Sequence, residues 1–160
     1  MTAATNEAAM ADAVARLRQA IGQLEEGMGP RMTPAMRKAL YERGYALYES
    51  ARYDEAYRLF VRLVLDDPGN TQGLRAAAAA AQAQGKYELA LNFYTPWMMA
   101  TDDPLPAARF AECLLKLGRM TLAREAIDIA RSLCVSEEHG AVREYCASLE
   151  CRAAGVESVF

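Results

Sequence analysis

Three ten-residue stretches, ARYDEAYRLF at 51–60, GKYELALNFY at 85–94 and GRMTLAREAI at 118–127, follow one order of residue types. Each opens on a small residue, continues with a base, and reaches an alanine five residues after the small one. Aligned on Ala56, Ala90 and Ala123, the copies stand 34 and then 33 residues apart. A period of this length marks an array of two-helix units, each burying its apolar face only against its neighbours. No other feature of the chain limits the fold so tightly.

The remaining residues of each copy have packing roles. Ala51, Gly85 and Gly118 fall where a tight turn between two helices wants a small residue. Phe60, Tyr94 and Ile127 lie four residues after the anchor alanines and fill the space between helices. Gly44 and Ala78, on the first helices, let the next helix approach closely. Pro68 falls where the second helix of the first unit has to stop. This is the tetratricopeptide pattern, with units at 37–70, 71–104 and 105–137. Helix pairs are predicted at 37–50/53–67, 71–84/87–100 and 105–117/120–133. The third unit is one residue short and has Met120 where the others have Tyr53 and Tyr87. The expected fold is all-α: three tetratricopeptide repeats in a right-handed superhelix, with an N-terminal helix and a C-terminal capping helix. The chain divides into 1–34 (helix and linker), 35–137 (repeats and concave groove) and 138–160 (cap and tail).

Both flanks carry their own patterns. Val142, Tyr145, Cys146 and Leu149 fall at i, i+3, i+4 and i+7, an amphipathic helix suited to covering the last apolar face of a repeat stack. Near the start, Met10, Val14, Leu17, Ile21 and Leu24 alternate spacings of four and three, a heptad seam. GMGPRMTP at 27–34 then breaks the chain. Two readings of the seam stand: packing on the chain's own repeats, or pairing with a second copy in a homodimer, which the intervening linker favours.

Composition closes off several function classes. The chain has 160 residues, a net charge of −3 and acids and bases interspersed, so no basic stripe offers itself to nucleic acid. No run approaches the ~20 apolar residues of a membrane span, and no signal peptide is read, so a cytoplasmic setting without a membrane partner is expected. Cys113, Cys134, Cys146 and Cys151, with the single His139, have neither zinc-site nor disulfide-framework spacing. Free thiols and no metal or cofactor are expected. Neither a phosphate loop nor a nucleophile–base pairing is readable, and Cys113 with His139 is an unsupported dyad, so the chain is not expected to be an enzyme.

Binding is the remaining possibility, and the first helix of each unit is where it would sit. With Leu40, Gly44 and Leu47 used for packing, Tyr41, Tyr45 and Tyr48 share a stripe facing the groove, with rings for apolar contact and hydroxyls for hydrogen bonds. In GLRAAAAAAQAQG, residues 73–85, Ala79 leaves a low floor and Gln82 offers an amide to a peptide backbone. Arg109 and Lys116 bring cations to the rim, or simply face solvent. Tyrosine and alanine suit an apolar peptide. A generic tetratricopeptide adaptor or transcriptional co-regulator, the alternative, would carry lysine, arginine and asparagine there when it clamps carboxylates.

FAECLLKLGRMTLAREAI at 110–127 resembles the third repeat of the class II chaperones of type III secretion translocators, the SycD-like group. ALYERGYALYESARYDEAYRLF at 39–60 and AAAQAQGKYELALNFY at 79–94 are similar to its first and second repeats. The resemblance implies a bacterial cytoplasmic chaperone that holds hydrophobic translocators before export, without ATPase activity. It further implies that an extended client segment lies in the concave groove, with Tyr41, Tyr45 and Tyr48 at aromatic groove positions and Gln82 at a groove glutamine. The chain departs from the family at Arg109–Phe110 and in the alanine-rich stretch 75–81.

Overall fold

A computed structural model of the protein describes residues 31–157 and, within the N-terminal segment, Asp12, Ala15, Arg16 and Gln19. It divides into two units, 1–33 and 34–160. In the first, Asp12, Ala15, Arg16 and Gln19 are helical and exposed, and Arg16 pairs with Asp12 one turn away at 2.7 Å. Met10, Val14, Leu17, Ile21 and Leu24 lie outside the described residues.

The second unit is all-α among its described residues. Its helices are α1 (Pro34–Glu49), α2 (Tyr53–Asp66), α3 (Thr71–Ala83), α4 (Tyr87–Ala100), α5 (Leu105–Lys116), α6 (Met120–Leu133) and α7 (Gly140–Glu157), with a 3-10 turn at Glu137–His139 before the last. Each helix packs on the next, and α7 closes the stack against both α6 and α5. The predicted helix pairs are therefore present. The first begins three residues earlier than expected, because Pro34 opens it: proline's fixed φ suits a first helical position, where its missing N–H has no partner to lose. Asn70 starts α3 by accepting the backbone N–H of Gln72 and Gly73 at 3.0 and 3.1 Å.

Alanine sets the spacing of the array. The anchors Ala56, Ala90 and Ala123 are all 0% exposed, and α3 and α5 bury further alanines around them. Phe60, Tyr94 and Ile127 fill the intervening space, as their position predicts. The cap buries Cys146, Leu149 and Ala153 against the last pair. The repeated base also finds a role. Arg119 pairs with Glu88, and Lys86 reaches Asp54 at 4.0 Å, so the base of one unit meets the acid two residues before the anchor alanine of the preceding unit. These pairs are exposed and contribute little each, yet their register repeats with the helices.

The small residue of each copy ends the first helix in a left-handed turn. The following N–H reaches back over the turn, Arg52 to Leu47, Lys86 to Ala81 and Arg119 to Leu114, at 2.9 to 3.0 Å. Gly85 and Gly118 take this turn at φ 71° and 73°; Ala51 takes it at φ 58° with a Cβ in the way. Ala51→Gly is expected to stabilise the chain by about 0.5 to 1 kcal/mol, the left-handed cost less the extra freedom of unfolded glycine. Chemical denaturation checks this; a loss of stability would mean the alanine is not strained.

Candidate functional site

The first helices of the three units, with α4, enclose a cleft of about 340 Å³. Its floor is Ala79 and Ala83 of α3. Tyr48 of α1, Tyr94 and Trp97 of α4 and Leu105 of α5 give it rings and an aliphatic wall, and Arg75, Gln82 and Arg109 supply its polar groups. The anchors that pack α4 against α3 are also what turns Trp97 and Tyr94 toward the cleft.

Four of the predicted groove residues, Tyr48, Ala79, Gln82 and Arg109, come together here. Three do not. Tyr45 is 51% exposed and stacks on Tyr41, their ring centroids 6.4 Å apart. Tyr41 lines a separate depression of about 420 Å³ with Pro34, Arg37, Leu63 and Gly73. Lys116 is exposed on the last turn of α5, away from the cleft lining. The tyrosine stripe is also less free than helical spacing suggests. Tyr41 tilts against Phe60 of α2 at 5.8 Å, and Tyr48 stands edge-on to Tyr53 at 5.1 Å. The expectation that the Tyr41 ring stays out of the α1–α2 interface is corrected: the large Phe60 ring fills the space above Gly44 and reaches it.

Gln82 needs a second correction. Both ends of its amide are engaged within the protein: Nε2 donates to Glu112 Oε2 at 2.7 Å, and Oε1 accepts the Tyr94 hydroxyl at 2.6 Å. Glu112, on α5, is the residue that the residue-by-residue reading missed. Its carboxylate also accepts the Tyr145 hydroxyl from α7, and faces Arg109 at 3.3 Å and Arg152 at 3.5 Å. Arg109 in turn lies 5.0 Å over the Tyr145 ring. One carboxylate thus ties the cap to the cleft wall and fixes the rotamers of Gln82 and Tyr94. A signal was present: Arg109, Glu112 and Lys116 fall at i, i+3 and i+7, and Glu112 sits in the AECLL run.

Burial pushes the Glu112 carboxyl up, but hydrogen bonds from Tyr145 and Gln82, the charge of Arg109 and a further bond from Arg152 outweigh it and leave the group below its usual range. Burial, followed by nearby charge, raises the Tyr94 phenol; burial and the bond to Glu112 raise that of Tyr145. Both hydroxyls stay protonated as donors. A depressed carboxyl stabilises the fold above its unfolded pKa, and that contribution is lost as pH falls through the folded value. Glu112→Gln is therefore expected to cost about 1 kcal/mol at neutral pH, with the gap to wild type closing below the ordinary carboxylate range. Thermal unfolding against pH checks this; a gap independent of pH would contradict it.

The site is built for contact. Cys113 is fully buried, and burial pushes its thiol up to about 12, so it is not a thiolate at neutral pH. Nδ1 of His139 lies 3.4 Å from Ser136 Oγ. Cys113, Cys134, Cys146 and Cys151 are free. Among the described residues, no group of three or more histidine, cysteine, aspartate or glutamate side chains is placed to hold a metal, and no helix is long and apolar enough to cross a membrane.

Fold and cleft together define a tetratricopeptide-like array with a cleft between the first helices of its units and α4. Comparison with known proteins narrows the likeness. No family model matches the chain. Over 95 residues it is 30% identical to the low calcium response locus protein H of Yersinia pestis, covering 59% of this chain and 56% of that protein, so the chain spans little more than half of its curated relative's length. The crystal structure of the Yersinia enterocolitica type III secretion chaperone SycD with a peptide of the translocator YopD superposes with a TM-score of 0.72, at 23% identity over 78% of this chain and 97% of that one. PcrH, known from Pseudomonas aeruginosa, in complex with the chaperone binding region of PopD gives a TM-score of 0.71, at 27% identity over 77% of this chain and 95% of PcrH. The resemblance to the SycD-like chaperones seen in the sequence is borne out by these neighbours.

Proposed function

We propose that the chain is a bacterial cytoplasmic chaperone of hydrophobic type III secretion translocators, holding an extended client segment in the cleft between α1, α3, α4 and α5. It does so by binding alone, without catalysis or a cofactor. The observation that carries the reading is the cleft lining. An alanine floor lets a backbone lie low, and Tyr48, Tyr94, Trp97 and Leu105 offer apolar walls to proline or leucine side chains. The similarity to PcrH, whose complex contains the chaperone binding region of a translocator, supports the same use here. The test is co-expression with a full-length translocator such as PopD. A soluble complex is expected with the chain and aggregation without it; a translocator equally insoluble in both cases would contradict the reading.

The seam Met10–Val14–Leu17–Ile21–Leu24 is assigned to pairing with a second copy rather than to the chain's own repeats, because the breaker-rich stretch at 27–34 separates it from them. Leu17→Glu with Ile21→Glu is expected to convert a dimer to a monomer in sedimentation while leaving helicity of the repeats intact. A wild-type chain that sediments as a monomer at high concentration would contradict the pairing.

A further inference from the structure

We infer that Arg75 gives the cleft a site for a side-chain carboxylate, so that the segment this chain holds carries an acidic residue beside its apolar anchors. The inference rests on the client-binding reading of the cleft. Arg75, Ala79 and Gln82 fall at i, i+4 and i+7 on α3, and all three line the cleft. Two arginines and no acid appear in that lining.

The two arginines differ in what holds them. Arg109 is fixed by Glu112 and the Tyr145 ring, and Glu112 also answers Arg152. The Glu112 carboxylate is thus already shared between two guanidinium groups. Arg75 is exposed and makes no ion pair or side-chain hydrogen bond among the described residues.

Nothing on its own helix accounts for a cation there. The residues three and four positions away, Thr71, Gln72, Ala78 and Ala79, are uncharged, and the first turn of α3 has no acid. An unpaired planar fork beside an alanine floor suits bidentate capture of a carboxylate. Rings on the facing walls exclude water once a peptide is seated, which strengthens such a pair over an open surface one.

The test uses the chaperone binding region of PopD, N-acetylated and C-amidated, scanned with glutamate and with glutamine at each position in turn. At one or two neighbouring positions the glutamate peptide is expected to bind wild type about fivefold more tightly than its glutamine twin. Arg75→Gln is expected to abolish that preference, so that each glutamate peptide binds no tighter than its glutamine twin, and Arg75→Lys to restore part of it; circular dichroism confirms that both variants are folded. Equal binding of every pair, or a preference that survives Arg75→Gln, overturns the inference and leaves the client reading standing. A gain seen only when the same peptides are also made with a free C-terminal carboxylate, and absent from the amidated series, overturns it in favour of an end clamp. No binding by any peptide overturns both.

Discussion

Replacing Gly44 with leucine is expected to cost about 3 kcal/mol of stability, because the space its side chain needs is already filled. A Cβ at this position stands 2.5 Å from Cε1 of Phe60 and 3.0 Å from Cδ1 and Cζ. Phe60 has little room to retreat: it is 2% exposed and its ring also meets Tyr41. Helix propensity acts in the opposite direction, since an interior glycine gives up about 1 kcal/mol relative to alanine. Gly44→Ala is accordingly expected to be the milder change. Phe60→Ala alone is expected to cost about 3 to 5 kcal/mol through the cavity it leaves. The pair Gly44→Leu, Phe60→Ala should then be more stable than the two single losses added together, since removing the Phe60 ring empties the space that the new leucine fills. Urea denaturation of the four proteins measures this coupling. Strict additivity would show that the α1–α2 approach does not depend on this glycine.

The second large effect is on binding. Ala79 is half-buried on the cleft floor, so Ala79→Phe places a ring where the client backbone is proposed to lie. A loss of about a hundredfold in affinity is expected, which corresponds to about 2.7 kcal/mol, with the fold kept because the ring points into the cleft. Tyr45→Ala, at an exposed ring outside the lining, is expected to weaken binding by less, and Tyr41→Ala to lose stability as well, since Tyr41 leans on Phe60. An Ala79→Phe variant that binds as well as wild type would move the client off this cleft.

The helices were legible in the sequence to within a few residues because the repeat supplies its own ruler. Three copies of a small residue, a base and an alanine place both the turn and the packed face in every unit. The site was legible only in outline. Helical spacing identifies which face of α1 or α3 looks inward; it does not say what meets that face from elsewhere. Gln82 faces the cleft as predicted, yet its amide is satisfied by Tyr94, 12 residues away, and Glu112, 30 residues away. Glu112 draws its meaning from Tyr145 and Arg152, more than thirty residues downstream, where no local pattern points back to it. Trp97 was hidden for a different reason. The second helix of each unit reads as packing, and α4 both packs and lines the cleft.

Trp97 also supplies the most direct test of the central claim, that the cleft holds an extended client segment. It is the single tryptophan of the chain and stands in the cleft wall, so its emission reports on what enters. Titrating the chaperone binding region of PopD into the protein is expected to shift Trp97 fluorescence saturably, with calorimetry giving the same affinity and Ala79→Phe abolishing both signals. Binding seen by calorimetry with unchanged Trp97 emission, and undiminished by Ala79→Phe, would contradict the account.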